Sequence, residues 1–389
     1  MHAGAPPPRP EGGRAAPLPP ASWLPTVDDG YRRMLAAIAR ASVSIRFEFY
    51  IFEAGGPGDR FRDAFVAAAR RGVKVRVLLD GFGSAGLPSA YWAGLRTAGG
   101  EARSFNPGFL LRIPIRNHHK LLVVDDSVAI VGGFNIGPEY EGDGVNGGWR
   151  DLGVALAGPP VAPLSASFDA MWDHRDLNRR GMRKLASHRR RFVARQAGIQ
   201  VMSMGPALGR NAFHELLIRN VREAREVRII AGYFVPSLKL RRALCGVARR
   251  GHRVRLILPG KTDVAFVRAA GHTFYSRMLR AGIEIAEYQP RVLHAKLAIV
   301  DDAVFAGSSN LDARSLSVNY ELMVRISNPA FAEEGRAIFE ADWALSRPIS
   351  LREWRAGRTW ADRLYGFLAR FCLIKIDPWF ARKRLRSLA

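Results

Sequence analysis

From Ala41 to Phe52 the chain opens with alternating apolar and polar side chains, the pattern of a strand with one buried face. A turn containing Gly55, Gly56 and Gly58 follows, and Phe61 to Arg71 then has the spacing of an amphipathic helix. Gly72 stands where a left-handed helix cap belongs, and Val73–Leu79 reads as the next strand. The order recurs from Glu226: Val227–Phe234 predicts a strand, Leu238–Arg250 a helix, Gly251 its cap, and Val254–Leu258 another strand. Arg71-Gly72-x-x-Val75-Arg76 thus aligns with Arg250-Gly251-x-x-Val254-Arg255. Strand–helix–strand units joined this tightly imply parallel pairing with helices packed on the sheet. Two α/β halves are expected.

Lapses in the pattern set the boundaries. Residues 1–26, rich in Pro, Ala and Gly, predict a disordered tail. Residues 27–174 make the first half and 201–348 the second. Residues 175–200 between them predict a basic linker, because Arg175 to Arg195 carries nine Lys/Arg against the single acid Asp176. That run is either solvated or held against phosphates. The 389 residues are 48% hydrophobic and 24% charged, which excludes a wholly disordered chain. A net charge of +24 points to a polyanionic partner: nucleic acid, an anionic membrane surface or a phosphate-bearing substrate. Cys245 and Cys372 are too few for a disulfide scaffold or a four-cysteine zinc site; a reducing compartment is the simpler reading, although the two could pair. No uncharged apolar run of about 18 residues predicts a transmembrane helix, and no signal-peptide core is expected.

Each half carries one unusual cluster. Asn117-His118-His119-Lys120 leads to Asp125 and then Gly132-Gly133-Phe134-Asn135; Leu293-His294-Ala295-Lys296 leads to Asp301 and then Gly307-Ser308-Ser309-Asn310. Both obey H-x-K-x-x-x-x-D, in register 176 residues apart. On a strand, positions i and i+2 share a face, so each histidine points with its lysine. An imidazole beside an ammonium calls for an anion between them, and a phosphate fits: Lys supplies charge while His attacks or donates a proton. Asp125 and Asp301 complete the catalytic set by motif. Their opposite parity puts them at the strand's end, fixing the turn or pairing with a lysine rather than attacking. His119 faces the other way, is matched by Ala295, and is assigned no catalytic role. Adjacent lysines would oppose a cation, so no metal and no cofactor is expected.

These residues resemble the phospholipase D superfamily, whose members carry two such motifs in tandem, over roughly Ala41 to Trp343. Asp312-x-Arg314-Ser315-x-x-x-Asn319-Tyr320-Glu321, Trp149-Arg150-Asp151, Leu79-Asp80-Gly-Phe-Gly-Ser84 and Tyr288-Gln289-Pro290 look like bacterial cardiolipin synthases, most of all the shorter ones without N-terminal membrane-spanning helices. The resemblance implies two α/β sandwich halves related by pseudo-two-fold symmetry, with the motifs meeting at their interface. It implies His118 as nucleophile and His294 as acid/base, a symmetry the residues alone leave unbroken. Lys120, Lys296, Asn135 and Asn310 would hold the phosphate oxygens, with Ser308 and Ser309 as further hydroxyls. A carboxylate some thirty residues downstream would orient each imidazole, which nominates Asp151 after His118 and Glu321 after His294.

Leu351 to Ala389 adds ten Lys/Arg against Glu353, Asp362 and Asp377, interleaved with Trp354, Trp360, Tyr365, Phe367, Phe371, Trp379 and Phe380. Residues 349–389 thus read as a membrane-surface contact or as a helix packed on the core with a solvated basic face. The expected activity is phosphatidyl transfer between phosphatidylglycerol molecules, releasing glycerol, by a protein peripheral on the cytoplasmic face of the bacterial membrane. Phosphodiester hydrolysis, on lipid or on DNA, is the alternative; nucleic acid is the less expected partner, since no nucleic-acid module is recognised.

Overall fold

The computed structural model describes residues 20–106, 115–175, 193–196, 198–206 and 211–376. The first half opens with β1 (Ala21–Leu24), α1 (Val27–Arg40), β2 (Ser44–Phe49) and α2 (Gly56–Arg70). It continues through β3 (Lys74–Asp80), α3 (Ala93–Thr97), β4 (Glu101–Phe105), β5 (Lys120–Val124), β6 (Val128–Gly132), β7 (Gly153–Ala157) and α4 (Val161–Asp173). The second half begins with β8 (Val193–Gln196), β9 (Ile199–Met204), α5 (Ala212–Glu223), β10 (Glu226–Ala231) and α6 (Leu238–Arg249). Next come β11 (Arg253–Lys261), α7 (Ala265–His272), α8 (Tyr275–Leu279), β12 (Glu284–Val292), β13 (Lys296–Val300) and β14 (Ala303–Gly307). It closes with α9 (Ala313–Ser317), β15 (Glu321–Ser327), α10 (Pro329–Ala344), β16 (Ser346–Pro348), α11 (Leu351–Ala356) and α12 (Trp360–Phe371).

The first sheet runs β1-β7-β6-β5-β2-β3-β4 and the second β16-β12-β11-β10-β13-β14-β15-β9-β8. Six strands of each match, β7-β6-β5-β2-β3-β4 against β15-β14-β13-β10-β11-β12, so the repeat read from the sequence is a repeat of topology. β2 pairs β3 in parallel, and β10 pairs β11 likewise. Gly72 and Gly251 both end helices with positive φ, 89° and 81°, where a Cβ would be strained. Helix α2 starts earlier than its apolar spacing indicates: Gly55 makes the turn at φ 89°, and Pro57 presets the first helical residues.

Each sheet covers one face with its own helices. α1 and α2 bury Tyr31, Met34, Phe61 and Phe65, and α5 and α6 bury Phe213, Leu217, Leu240 and Leu244. The other faces meet. Leu121, Val123, Val131 and Val154 share one apolar cluster with Leu297, Ile299, Val304 and Leu322, joined by Phe168 of α4 and Phe339 of α10. Burying two sheets against each other fixes the halves as a unit.

Two expected boundaries shift. The expected tail 1–26 is ordered from Ala21: β1 pairs antiparallel to β7, and Trp23 stacks on Phe331 of the second half at 4.5 Å while donating to its carbonyl at 3.0 Å. The expected linker 175–200 gives up its last residues to β8 and β9, which extend the second sheet. Residues 1–19, 176–192 and 377–389, with most of the basic run and Trp379 and Phe380, lie outside the described residues.

Asp125 and Asp301 are structural, which corrects their grouping with the catalytic set. Asp125 takes the left-handed φ of 52° after β5 and accepts from the amides of Ser42, Val43 and Ser44, the chain's entry into β2. Asp301, at φ 48°, accepts from the amides of Arg225 and Glu226 at the entry into β10. A short carboxylate that tolerates this backbone and fills three donors suits both needs. Asp125→Ala should therefore lower stability by about 2 kcal/mol in urea unfolding, with turnover of the folded fraction unchanged.

Candidate active site at the junction of the halves

The two histidines lie just ahead of β5 and β13, where the chain leaves its own sheet and pairs with the other half. The His118 amide donates to the Tyr320 carbonyl at 2.9 Å, and the Tyr320 amide to Arg116 at 2.8 Å. The counterpart is His294 donating to the Arg150 carbonyl at 2.9 Å, with the Arg150 amide bonded to Val292 at 2.8 Å. Each histidine backbone is thus tied to the residue preceding the other half's carboxylate.

The carboxylate pairing is accordingly crossed. His118 Nδ1 lies 3.0 Å from Glu321 Oε2, and His294 Nδ1 lies 2.6 Å from Asp151 Oδ2. This reverses the assignment expected from spacing, Asp151 to His118 and Glu321 to His294. Asp151 precedes β7, two strands from β5 in its own sheet and so about 10 Å away, whereas the facing sheet brings Glu321 directly onto His118. Arg150 anchors the crossing with a buried 2.7 Å contact to Asp342 of α10.

Both carboxylates are fully buried. Glu321 accepts from Ser308 Oγ at 2.5 Å and from Asn319 Nδ2 at 3.3 Å; Asp151 accepts from the Leu152 amide at 2.8 Å. Position 133, the counterpart of Ser308, must be glycine: a Cβ there would stand 2.2 Å from Asp151 Oδ1. Ser308 is therefore the hydroxyl in the shell. Of the two serines expected as hydroxyls, Ser309 instead donates its hydroxyl to the neighbouring Asn310 carbonyl at 3.3 Å and its amide to Met323 Sδ at 3.3 Å.

Lys120 Nζ donates to the His118 carbonyl at 3.1 Å, and Lys296 Nζ donates to the His294 carbonyl and lies 3.9 Å from Asp151. Lys296 Nζ is also 2.8 Å from His294 Nδ1, but one ring nitrogen cannot donate to Asp151 and accept from lysine at once. The short carboxylate contact assigns the proton to Nδ1, leaving Nε2 free in both rings. Asn135 does not stand ready for phosphate: its Nδ2 donates to Tyr140 at 2.8 Å and its Oδ1 accepts from the Ile51 amide at 3.2 Å. Asn310 keeps a buried Oδ1 with no bonded partner among the described residues. Aromatic walls complete the site, and the motif spacing gave no sign of them: Tyr50 lies 4.9 Å from the His118 ring, and Tyr140, Trp149 and Tyr233 lie 5.6–6.0 Å from His294.

The comparisons with known proteins add the relationship. The family described as "Cardiolipin synthase, PLD-like domain" matches residues 34–172 and 217–343. The chain belongs to this family of phospholipase D-like enzymes. It is 31% identical over 340 residues to the major cardiolipin synthase ClsA of Bacillus subtilis, spanning 85% of this chain and 70% of that protein. Cardiolipin synthase A of Cronobacter sakazakii is likewise 31% identical, over 89% of this chain and 74% of its own length. Among solved structures, a phosphatidylserine synthase from Haemophilus influenzae shares the fold with a TM-score of 0.66, covering 93% of this chain and 95% of that one at 15% identity.

Burial sets the protonation states in this cardiolipin synthase-family site. The His118 imidazole is pushed down to about 4 by desolvation; Glu321 works against that shift and Lys120 adds to it. His294 is lowered by the same burial, then by Lys296. Lys120 is held well below the usual range by burial and the facing Lys296, and Lys296 itself falls to about 8 through burial. Burial alone would raise Asp151 and Glu321, but Lys296, His294 and the Leu152 amide together lower Asp151, and His118, Lys120 and Ser308 together lower Glu321, so both stay below the usual carboxylate range. Neutral imidazoles with a free Nε2, beside ammonium groups, suit attack on a phosphodiester anion.

His119 lies apart, fully buried with Nδ1 3.3 Å from Glu48, which Asn117 also binds at 2.6 Å. His119→Ala should lower the melting temperature, costing about 2–4 kcal/mol, while kcat stays within a few fold. His118→Ala and His294→Ala should each abolish turnover with little change in melting. The acid limb of kcat/KM should lie well below the ordinary histidine value, near about 4, where His118 takes up its proton. An acid limb near the ordinary histidine value would contradict the buried neutral imidazole.

Proposed function

We propose that the protein transfers a phosphatidyl group from one phosphatidylglycerol to a second, through a phosphohistidine on His118, releasing glycerol. The observation that carries this reading is the pair of buried imidazoles, each with Nδ1 bonded to a carboxylate of the opposite half and each beside a lysine. His118 Nε2 attacks phosphorus, the P–O bond to the glycerol headgroup breaks, and protonated His294 gives its proton to the departing oxygen. His294 then removes the proton from the acceptor hydroxyl, whose oxygen attacks phosphorus and breaks the P–N bond, freeing His118. Lys120 and Lys296 hold the non-bridging oxygens as charge gathers there; donors of this kind contribute about 3 kcal/mol each.

Charge balance supports one protonated imidazole in the loaded site. A phosphodiester anion offsets the burial that lowers Lys120 and Lys296, and with both lysines charged against Asp151 and Glu321 it leaves one negative charge, which a proton on one imidazole balances; the family resemblance gives that role to His294. Burial supports an alcohol over water as acceptor, since His118 and His294 are only 7% and 4% exposed. The names of the curated relatives support a lipid substrate. No helix among the described residues is long and apolar enough to cross a membrane, and we place the protein peripherally on the cytoplasmic face, with its lipid supplied from the bilayer.

Purified protein with phosphatidylglycerol vesicles should yield cardiolipin and glycerol in equal amounts, and samples quenched in denaturant at neutral to mildly alkaline pH should carry a phosphatidyl adduct on His118 by mass spectrometry. Phosphatidic acid as sole product, or plasmid nicking with inert lipid, would replace this reading with hydrolysis or nuclease action. The crossed carboxylates separate the two steps. Asp151→Asn should slow turnover by 10- to 100-fold, and an activated leaving group should rescue the first step, read as a burst of released headgroup, because that step then no longer needs the acid. Glu321→Gln should be slowed similarly without rescue.

A further inference from the structure

Helix α12 is held at its start by a capping box, Thr359 and Asp362 bonding each other's backbone amides. It touches the protein along a narrow line. Gly366 and Ala369 are its buried residues, and a Cβ on Gly366 would stand 2.9 Å from the Ala269 carbonyl of α7. The outward stripe is apolar: Trp360 is 76% exposed, and Leu364, Phe367, Leu368 and Phe371 are each about half exposed. Their spacing of four, three, one and three residues makes one continuous helical ridge. Apolar exposure this contiguous marks a contact surface.

Beside the ridge a cleft of about 500 Å³ opens between His272–Arg280 and the α11–α12 segment. Arg280, Arg355, Arg358, Arg363 and Arg370 line it, with Thr273 and Ser276 as hydroxyls, and no carboxylate side chain lines it. Among the described residues none of these five arginines forms an ion pair with a carboxylate. Their bonds run to backbone carbonyls, Arg358 to His272 and Asp362 and Arg280 to Ser276. Five guanidinium groups around one cleft, with Arg358 partly offset by Asp362, repel one another and favour an anion with several acceptor oxygens. Nucleic acid would satisfy the charge but leave the ridge uncovered; an anionic phospholipid bilayer satisfies both at once.

The surface is also linked to the reaction site. Helix α7, on which α12 rests, is preceded by Asp263, which accepts from Tyr233 at 2.5 Å, and the Tyr233 ring lies 6.0 Å from His294.

We propose that α12 and the adjoining arginine cleft form a docking surface for an anionic bilayer, the ridge entering the headgroup–acyl boundary while a phospholipid phosphate sits among the arginines. This concerns how the chain meets a membrane and does not depend on the chemistry at the histidines, because binding is read without turnover.

Flotation of the full chain with phosphatidylcholine vesicles, with and without phosphatidylglycerol, tests it. Wild type should bind the anionic vesicles at least tenfold more tightly than the neutral ones. Leu364→Ser/Leu368→Ser should lose at least tenfold on anionic vesicles, and Arg355→Gln/Arg363→Gln should lose the preference for anionic lipid, both with unchanged thermal melting. Both variants should keep wild-type turnover on a short-chain monomeric phosphatidylglycerol, so loss of docking is told apart from loss of catalysis. Equal binding to neutral and anionic vesicles, or full binding by either folded variant, overturns the proposal. So does duplex DNA binding that needs the arginines and ignores the ridge.

Discussion

Two ammonium groups buried beside two imidazoles would be untenable without counter-charge, and neither half of this chain holds the counter-charge where its own histidine needs it. Glu321 reaches His118 and Asp151 reaches His294 across the junction, each fully buried and each below its ordinary pKa because of the cations it faces. Removing a carboxylate or a lysine from such a set leaves an uncompensated buried charge, a penalty of several kcal/mol. The site therefore exists only when the sheets are packed face to face, and the apolar interface of Leu121, Val154, Leu297 and Leu322 is as much a requirement of the chemistry as the histidines are.

Within this pseudo-symmetric frame the halves have diverged at the positions that surround the imidazoles. Ser308 supports Glu321, while its counterpart Gly133 yields its space to Asp151. Glu48 and His119 form a buried polar pair behind His118, where the second half places Ile230 and Ala295 against the matching strand position. Among the described residues, the Tyr140, Trp149 and Tyr233 rings stand by His294 and the Tyr50 ring by His118. Two chemically identical motifs thus sit in unequal surroundings, as the proposed division into attacker and proton carrier requires.

Much of this was legible beforehand. The strand–helix–strand repeat, the parallel pairing of β2 with β3 and β10 with β11, and the glycine caps follow from local pattern, because each depends on residues close in the chain. So did the opposite parity of His119, and the place of Asp125 and Asp301 at strand ends. Their assignment to the catalytic set came from the motif alone, and three backbone donors claim Asp125 instead. Asn135 and Ser309 were chosen by alignment, which cannot see that Tyr140 and Ile51 already occupy one side chain and that Ser308 points inward in place of the other.

The chain order by itself determined that there are two α/β halves, each presenting a histidine and a lysine on one face, since alternation and spacing along a strand are local geometry. Only the tertiary structure decided which carboxylate serves which histidine. Sequence distance favoured the carboxylate of the same half, but strands two places apart in one sheet stand about 10 Å apart, whereas the segments ahead of β5 and β15, and those ahead of β7 and β13, pair backbone to backbone across the junction.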